Sequence, residues 1–324
     1  MEMRDFGRTG LRLSALGFGC GAVGGLMVRA DAAEQERAVA RALDAGINYF
    51  DTAVQYGDGQ SERNLGRVLA RLKPAEAVIG TKVRLLGDDF SDVGGAVVGS
   101  LEGSLARLGR ERVDILYFHN PVTMDGSPGS LSVARLLEEF VPAVERLRDA
   151  GKVGFVGITA VGDTAALKAV LASSKVEAAQ VVFNLLNPSA ADRLPAGWPG
   201  QDYDGLLGDA ATAGAGVVAI RVLAGGALSG SAERHPIASP APAPIGSSDT
   251  YAGDLDRAQA LLPQAGGTTA GLTDLATRYP LSQAAIGTIL VGMASFEQFE
   301  LALAAIERGA PSAGELARLA GGQR

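Results

Sequence analysis

Apolar positions along the chain keep changing rhythm, and the changes repeat. A short apolar run at 15–19 gives way to a stretch with Ala38, Val39, Ala42 and Leu43 at the spacing of one helix face, then to a second run at 47–50. Asp31, with Glu34 three residues on, resembles a capping box that opens this helix, and Gly46 stands where its C-terminal turn belongs. The unit recurs. A helix from Ser61 with Leu65, Val68, Leu69 and Leu72 inward precedes a run at 77–82. A helix from Ser91 with Val97, Val98, Leu101, Leu105 and Leu108, closed by Gly109, precedes 113–118. A long helix ending at Gly151 precedes 153–158, and a helix capped by Asp163 precedes 179–183. Helical segments at 206–213, 255–262 and 272–279 frame the last runs, 216–220 and 288–291. Apolar strands alternating with helices imply a parallel sheet covered by helices. Eight such units predict an α/β fold of the (β/α)8 TIM-barrel type. A turn at 6–10 before the alternating 11–13 predicts an N-terminal β-hairpin, and the end of the chain predicts extra C-terminal helices. Residues 1–324 read as one barrel domain, with the Ala-, Pro- and Ser-rich 231–250 as a long surface loop.

Composition narrows the functional classes. Hydrophobic residues make up 47% and charged residues 20%, enough for a large core, with no apolar run of the length a membrane span needs. The polar start, Met1-Glu2-Met3-Arg4-Asp5, does not resemble a signal peptide. One cysteine, Cys20, rules out an intrachain disulfide and points to a reducing cytoplasm. A net charge of −7 without a basic block argues against nucleic acid or an anionic membrane as partner. With His119 and His235 as the only histidines, a multi-histidine zinc site is excluded, and no metal is expected.

Gly19-Cys20-Gly21-Ala22-Val23-Gly24 matches G-x-G-x-x-G, with Asp51 after a later strand. A dinucleotide fingerprint of that kind needs its helix to open directly on the glycine loop, where the amides meet a pyrophosphate. Here residues 25–30 intervene before the cap at Asp31, which favours a flexible strand-to-helix connection on the barrel's active-site face.

Barrel chemistry gathers at the C-terminal ends of the strands. The second strand ends at Asp51, the third at Lys82 and the fourth at His119, and the loop after the second adds Tyr56. Each alone has an ordinary explanation as a helix cap, a solvated cation, a loop anchor or a backbone partner. At successive barrel positions they converge on one spot. An acid near a reacting carbonyl must quench charge on oxygen. A tyrosine, with an ordinary pKa of about 10, would be eased toward this task by a neighbouring Lys⁺ that favours phenolate.

Phe50-Asp51-Thr52-Ala53, Tyr56-Gly57, Ser61-Glu62, Leu65-Gly66, Gly80-Thr81-Lys82 and His119 closely resemble the signature of the aldo-keto reductase family. The likeness continues through Gly154-x-x-Gly157-Ile158-Thr159, Gln180-x-x-Phe183-Asn184 and Gly225-Gly226-x-Leu228. It implies an NAD(P)(H)-dependent oxidoreductase that interconverts aldehydes or ketones with alcohols. It assigns Tyr56 as general acid, Lys82 as its tuning cation, Asp51 as the anchor of Lys82, and His119 as the group that orients the carbonyl. It also implies a cofactor track. Gly19, Cys20 and Gly21 would lie near the nicotinamide ribose, Thr159, Gln180 and Asn184 near the carboxamide, Leu223, Gly225 and Gly226 near the pyrophosphate, and Ser295 and Gln298 near the adenosine.

Three departures from that family matter. Ala160 replaces an asparagine, and Ile220-Arg221-Val222 replaces a Tyr-Ser-Pro whose aromatic would stack on nicotinamide, so that aromatic is either missing or supplied by Phe183 from the neighbouring strand. The run 291–298 holds no cation and one acid, Glu297, so both NAD and NADP stay open as cofactor. Arg221 either pairs with the pyrophosphate or with a carboxylate on a covering helix. Val54, Gln55, Asn120, Trp198 and Tyr203, on loops after different strands, are the candidate substrate contacts for a small carbonyl or alcohol. Two other readings keep the fold: a cofactor-binding regulatory subunit acting through a protein partner, and an isomerase or lyase without nicotinamide. The oligomeric state stays open.

Overall fold

The computed structural model describes residues 1–194 and 197–322. An antiparallel pair, β1 (Met3–Asp5) and β2 (Arg12–Ser14), precedes everything else. Strands β3 (Leu16–Gly19), β4 (Tyr49–Asp51), β5 (Val78–Val83) and β6 (Val113–Phe118) follow. After a small pair, β7 (Val122–Thr123) and β8 (Leu131–Ser132), come β9 (Val153–Thr159), β10 (Ala178–Val182), β11 (Gly216–Ile220) and β12 (Ile286–Gly292). Strands β3–β6 and β9–β12 are parallel neighbours, and β12 pairs back on β3 to close an eight-stranded barrel. The expected (β/α)8 architecture is borne out, including the hairpin and the C-terminal helix.

The covering layer follows the apolar stripes. In chain order the helices are α1 (Leu26–Arg29), α2 (Ala32–Asp44), α3 (Gln60–Leu72), α4 (Val93–Leu108), α5 (Val133–Arg135), α6 (Val141–Asp149), α7 (Thr164–Ala172), α8 (Leu206–Thr212), α9 (Tyr251–Ala260), α10 (Thr269–Arg278), α11 (Phe296–Glu307) and α12 (Ala313–Gly322). Helix α3 buries Leu65, Val68 and Leu69 while Arg63, Arg67 and Arg71 face water. The long helix expected before β9 is α5 and α6 joined by a π-helical turn at Leu136–Phe140. Val98, expected inward on α4, is exposed.

Some caps differ from expectation. The Asp31 side chain accepts from the Glu34 amide, but the Glu34 carboxylate does not complete the box. It accepts instead from the Phe296 amide at the start of α11. Asp92 rather than Ser91 caps α4, and the Asp163 side chain leaves α7 to accept from the Met124 amide. The glycine-rich segment after β3 is a packing device. A Cβ on Gly24 would come within 2.3–2.5 Å of the Met293 backbone, so only glycine lets this loop lie against the loop after β12.

The barrel floor is built by the hairpin. Phe6 and Leu13 are buried and pack in a cluster with Tyr49, Ile115, Tyr117 and Leu290. Gly216 and Gly287 leave the room, since a Cβ on either would lie within 3 Å of the Phe6 ring. Phe6→Ala should therefore lower unfolding free energy by about 3–5 kcal/mol, the usual cost of emptying a buried aromatic site. Chemical denaturation measures this, and a loss below about 1 kcal/mol would show that the floor does not depend on the ring.

Candidate active site

Three adjacent strand ends set the site, because inward positions on a strand alternate with outward ones. Tyr49 and Asp51 share one face of β4, Gly80 and Lys82 one face of β5, and Tyr117 and His119 one line along and just beyond β6. A Cβ on Gly80 would stand 2.6 Å from the Tyr49 hydroxyl, and one on Gly157 would stand 2.4 Å from the Tyr117 ring. These motif glycines thus make room for two tyrosines beneath the mouth of the barrel.

Lys82 is 1% exposed and donates to Asp51 Oδ1 at 2.5 Å and to the Thr52 carbonyl at 2.8 Å. Asp51 Oδ2 accepts from the Tyr49 hydroxyl at 3.1 Å and from Gln180 Nε2 at 2.5 Å. The Tyr49 and Tyr117 hydroxyls lie 3.0 Å apart. Burial disfavours the Lys82 charge, yet Asp51 and Tyr56 more than offset it, and the pKa is raised. The lysine is a fixed cation.

Tyr56 is half-buried over this cation, with Lys82 Nζ 4.8 Å from its ring centroid. Burial raises the phenol pKa and Lys82 opposes that rise, but the net direction is up. The expected lowering by Lys82 exists and is outweighed by desolvation. His119 stands edge-on to Tyr56, ring centroids 6.0 Å apart, and its Nδ1 lies 3.1 Å from Gln55 Oε1. Burial, with Lys82 and Arg84 nearby, lowers its pKa to about 3. The imidazole is neutral at ordinary pH.

The other signature residues form the scaffold. The Ser61 hydroxyl bonds the Thr52 hydroxyl and the Cys20 carbonyl. Glu62, fully buried, accepts from Thr81 and Arg107, both at 2.6 Å.

A groove of about 1310 Å³ runs across the barrel mouth and down toward α10, α11 and α12. Tyr56, His119 and Gln55 line it, as do Gly19, Gly21, Thr159, Gln180, Arg221, Leu223, Gly225, Gly226 and Gln298. Gly225 and Gly226 have φ of +70° and +110°, and a Cβ on Gly225 would stand 3.1 Å from Arg221 Nη1. Arg221 itself adopts φ +56° and donates to the Ala243 carbonyl at 3.4 Å. No ion pair joins it to a carboxylate among the described residues, although Asp254 on the covering helix α9 acts on its charge through space.

Segment 231–250 lies over this groove rather than on remote surface. The Ser239 amide donates to the Val23 carbonyl across the groove, and Arg29 reaches the carbonyls of Ile237 and Ala22. Arg234 ties the segment to the Gly225 carbonyl and the Tyr251 hydroxyl, both at 3.0 Å.

Several expected contacts are engaged elsewhere. Cys20 is buried with its thiol toward the Phe18 carbonyl, and burial pushes that thiol well above its ordinary range. Asn184 holds the Arg221 carbonyl and accepts from the Leu186 and Asn187 amides. Phe183 is buried and stacked on Tyr279 at 5.2 Å, and does not line the groove. Ser295 caps α11. Glu297 faces out to Arg37. Asn120 is clamped between Leu85 and the Gly129 carbonyl. Trp198 lies under Arg257, Tyr203 is buried below Gly246, and Val54 offers its carbonyl to Gly59. None of these last four lines the groove; among the candidate substrate contacts, Gln55 does. Tyr49, Tyr117 and Arg84 were missed. The two tyrosines had a signal, each standing two residues before a candidate catalytic position.

Residues 15–320 match the Aldo/keto reductase family. The chain is 30% identical over 315 residues to L-galactose dehydrogenase of Arabidopsis thaliana, covering 94% of this chain and 88% of the relative. A probable voltage-gated potassium channel subunit beta of Oryza sativa subsp. japonica is 33% identical, over 37% of this chain and 38% of its own. An aldo-keto reductase of Bacillus halodurans, solved in its holo form, superposes with a TM-score of 0.74 at 22% identity, covering 100% of this chain and 97% of that one. A match across nearly the full length, on a closed barrel of this topology, means that the chain belongs to the aldo/keto reductase family and is an NAD(P)(H)-dependent oxidoreductase of that type.

Proposed function

We propose that this protein reduces a small aldehyde or ketone, or oxidises the corresponding alcohol, with Tyr56 as the general acid or base. The observation that carries the reading is the buried Lys82–Asp51 pair held under Tyr56, beside a neutral His119 in the same groove. The residues lining that groove fit a dinucleotide. A glycine pair offers its backbone, an arginine outside any ion pair stands beside it, and Thr159 and Gln180 present polar atoms at the deep end. Bound there, the nicotinamide cofactor supplies or accepts the hydride.

The chain's own residues handle the proton and the oxygen. A raised pKa keeps the Tyr56 hydroxyl protonated near pH 7, so it donates to a carbonyl oxygen as charge develops there. The Lys82 ammonium stabilises the phenolate left behind. The single N–H of neutral His119 donates from Nδ1 to Gln55 Oε1, which fixes the ring beside that oxygen; a half-turn of the Gln55 amide, placing its NH2 against Nδ1, would move the ring N–H to Nε2 and offer it to the carbonyl. Gln180, tied to Asp51, links the groove wall to the ion pair. Arg221, Gly225 and Gly226 would hold the pyrophosphate, and Gln298 would lie toward the adenosine. Coverage favours catalysis over a channel-subunit role: the dehydrogenase relative matches 94% of the chain, the channel subunit 37%.

Tyr56→Phe should abolish turnover, by at least the roughly 10²- to 10⁴-fold that general acid catalysis contributes, with cofactor binding retained. A panel of carbonyls and alcohols followed by nicotinamide absorbance measures it. Activity within about threefold of wild type, against that expected loss, removes Tyr56 from the mechanism.

The pKa directions set the pH profile. Oxidation needs Tyr56 deprotonated, so its rate should climb with pH, while reduction should not. Because the folded-state pKa of His119 is depressed, its ring should not titrate by NMR between about pH 5 and 8. An oxidation rate that stays flat from about pH 7 to 10 contradicts the assignment of Tyr56.

Arg221→Ala should weaken NADH and NADPH binding alike by about 10- to 100-fold, the effect of losing a bond to a charged group. Fluorescence titration reads both constants. Unchanged affinities with a lower melting temperature would make Arg221 a structural residue. With no cation in the run 291–298, NAD(H) should be used measurably. An NADPH dissociation constant roughly a thousandfold below that of NADH, the scale of a strong charge-assisted contact, would refute that.

A further inference from the structure

The barrel mouth carries more positive charge than its own residues neutralise. Arg84 stands just past the end of β5, two residues beyond Lys82, and Arg221 just past the end of β11. Both line the groove with Tyr56 and His119. Neither is ion-paired among the described residues, and Arg84, which is exposed, makes no hydrogen bond there. The acids of the groove wall other than Glu233 are ion-paired elsewhere. Asp51 is held by Lys82, while Asp274 and Glu315 pair with Arg278 at the far end. Glu233 sits on segment 231–250, beside Arg234. In a protein of net charge −7, Arg84 and Arg221 at one mouth, neither held in an ion pair, call for anionic ligands.

The two serve different ends of that mouth. Arg221 lies against Gly225, on the wall assigned above to the pyrophosphate. Arg84 is on the His119 side, where its charge contributes to keeping the imidazole neutral. Gln55 and Pro121 line the groove there as well. A carbonyl whose oxygen lies between Tyr56 and His119 has Arg84 within the same open space.

Resting on the oxidoreductase reading, we propose that the substrate is a short carbonyl compound, or its alcohol, bearing a carboxylate or phosphate monoester, and that Arg84 binds this anion. A guanidinium suits the task, because its planar fork of donors matches either group in a two-pronged contact. The group is exposed, so the attraction should weaken as salt rises.

The test uses matched pairs: succinic semialdehyde against butanal for the carboxylate, and glyceraldehyde 3-phosphate against glyceraldehyde for the phosphate, each with NADH and NADPH. At least one anionic member should exceed its neutral partner in kcat/KM, and the arm that does so identifies the anion. Arg84→Gln should cut that preference by about 10- to 100-fold, chiefly through KM. Arg84→Lys should restore part of it, and added salt should erode it in the wild-type protein. Equal kcat/KM within both pairs, or a preference unchanged in R84Q, overturns the inference while leaving the oxidoreductase reading intact. Failure to turn over any carbonyl or alcohol, neutral or charged, counts against the underlying function itself.

Discussion

A charged lysine buried inside a barrel is the constraint on which the site depends. Moving such an ion out of water costs several kcal/mol, and an ion pair offsets this only when the geometry is good and the remaining lone pairs are satisfied. Here they are. Asp51 takes Lys82 on one oxygen and Tyr49 and Gln180 on the other, while Lys82 also reaches the Thr52 carbonyl. Losing one partner of such a pair typically costs about 3–5 kcal/mol. Much of the surrounding sequence is explained by this cluster: glycines that make room for Tyr49 and Tyr117, and Ser61 and Glu62 beneath, bracing Thr52 and Thr81.

The same cluster decides how the phenol behaves. Tyr56 sits over a permanent cation yet has a raised pKa, because the desolvation it suffers exceeds the help from Lys82. The two effects oppose each other within one site, so the phenol stays protonated in the resting protein while its conjugate base has a cation waiting. His119 completes the division of labour by remaining neutral beside it.

The barrel was legible because strand and helix periods differ and each strand end stood out in the sequence. Asp51, Lys82 and His119 were found from their position at those ends. Asn120, Asn184, Cys20 and Tyr203 were harder, since a polar or thiol side chain next to a site looks the same in sequence whether it faces a ligand or clamps a loop. The structure gives each of the two asparagines three hydrogen bonds to backbone. Glu34 shows the converse limit: its spacing promised a local cap, but an amide on α11, distant in sequence, competed for it. The path of segment 231–250 over the groove likewise rests on contacts with residues 23 and 29, which no local pattern discloses.

The closing seam of the barrel lies between β3, near the start of the chain, and β12, near its end. As the polypeptide leaves the ribosome, the early strand therefore has one unpaired edge until almost the whole chain has emerged. Phe6 waits as well, since its seat includes Gly216 and Gly287. Such long-range closure is slow and leaves strand edges exposed meanwhile. The barrel therefore cannot close until nearly every strand has been made, and the edge of β3 is the last to find its partner.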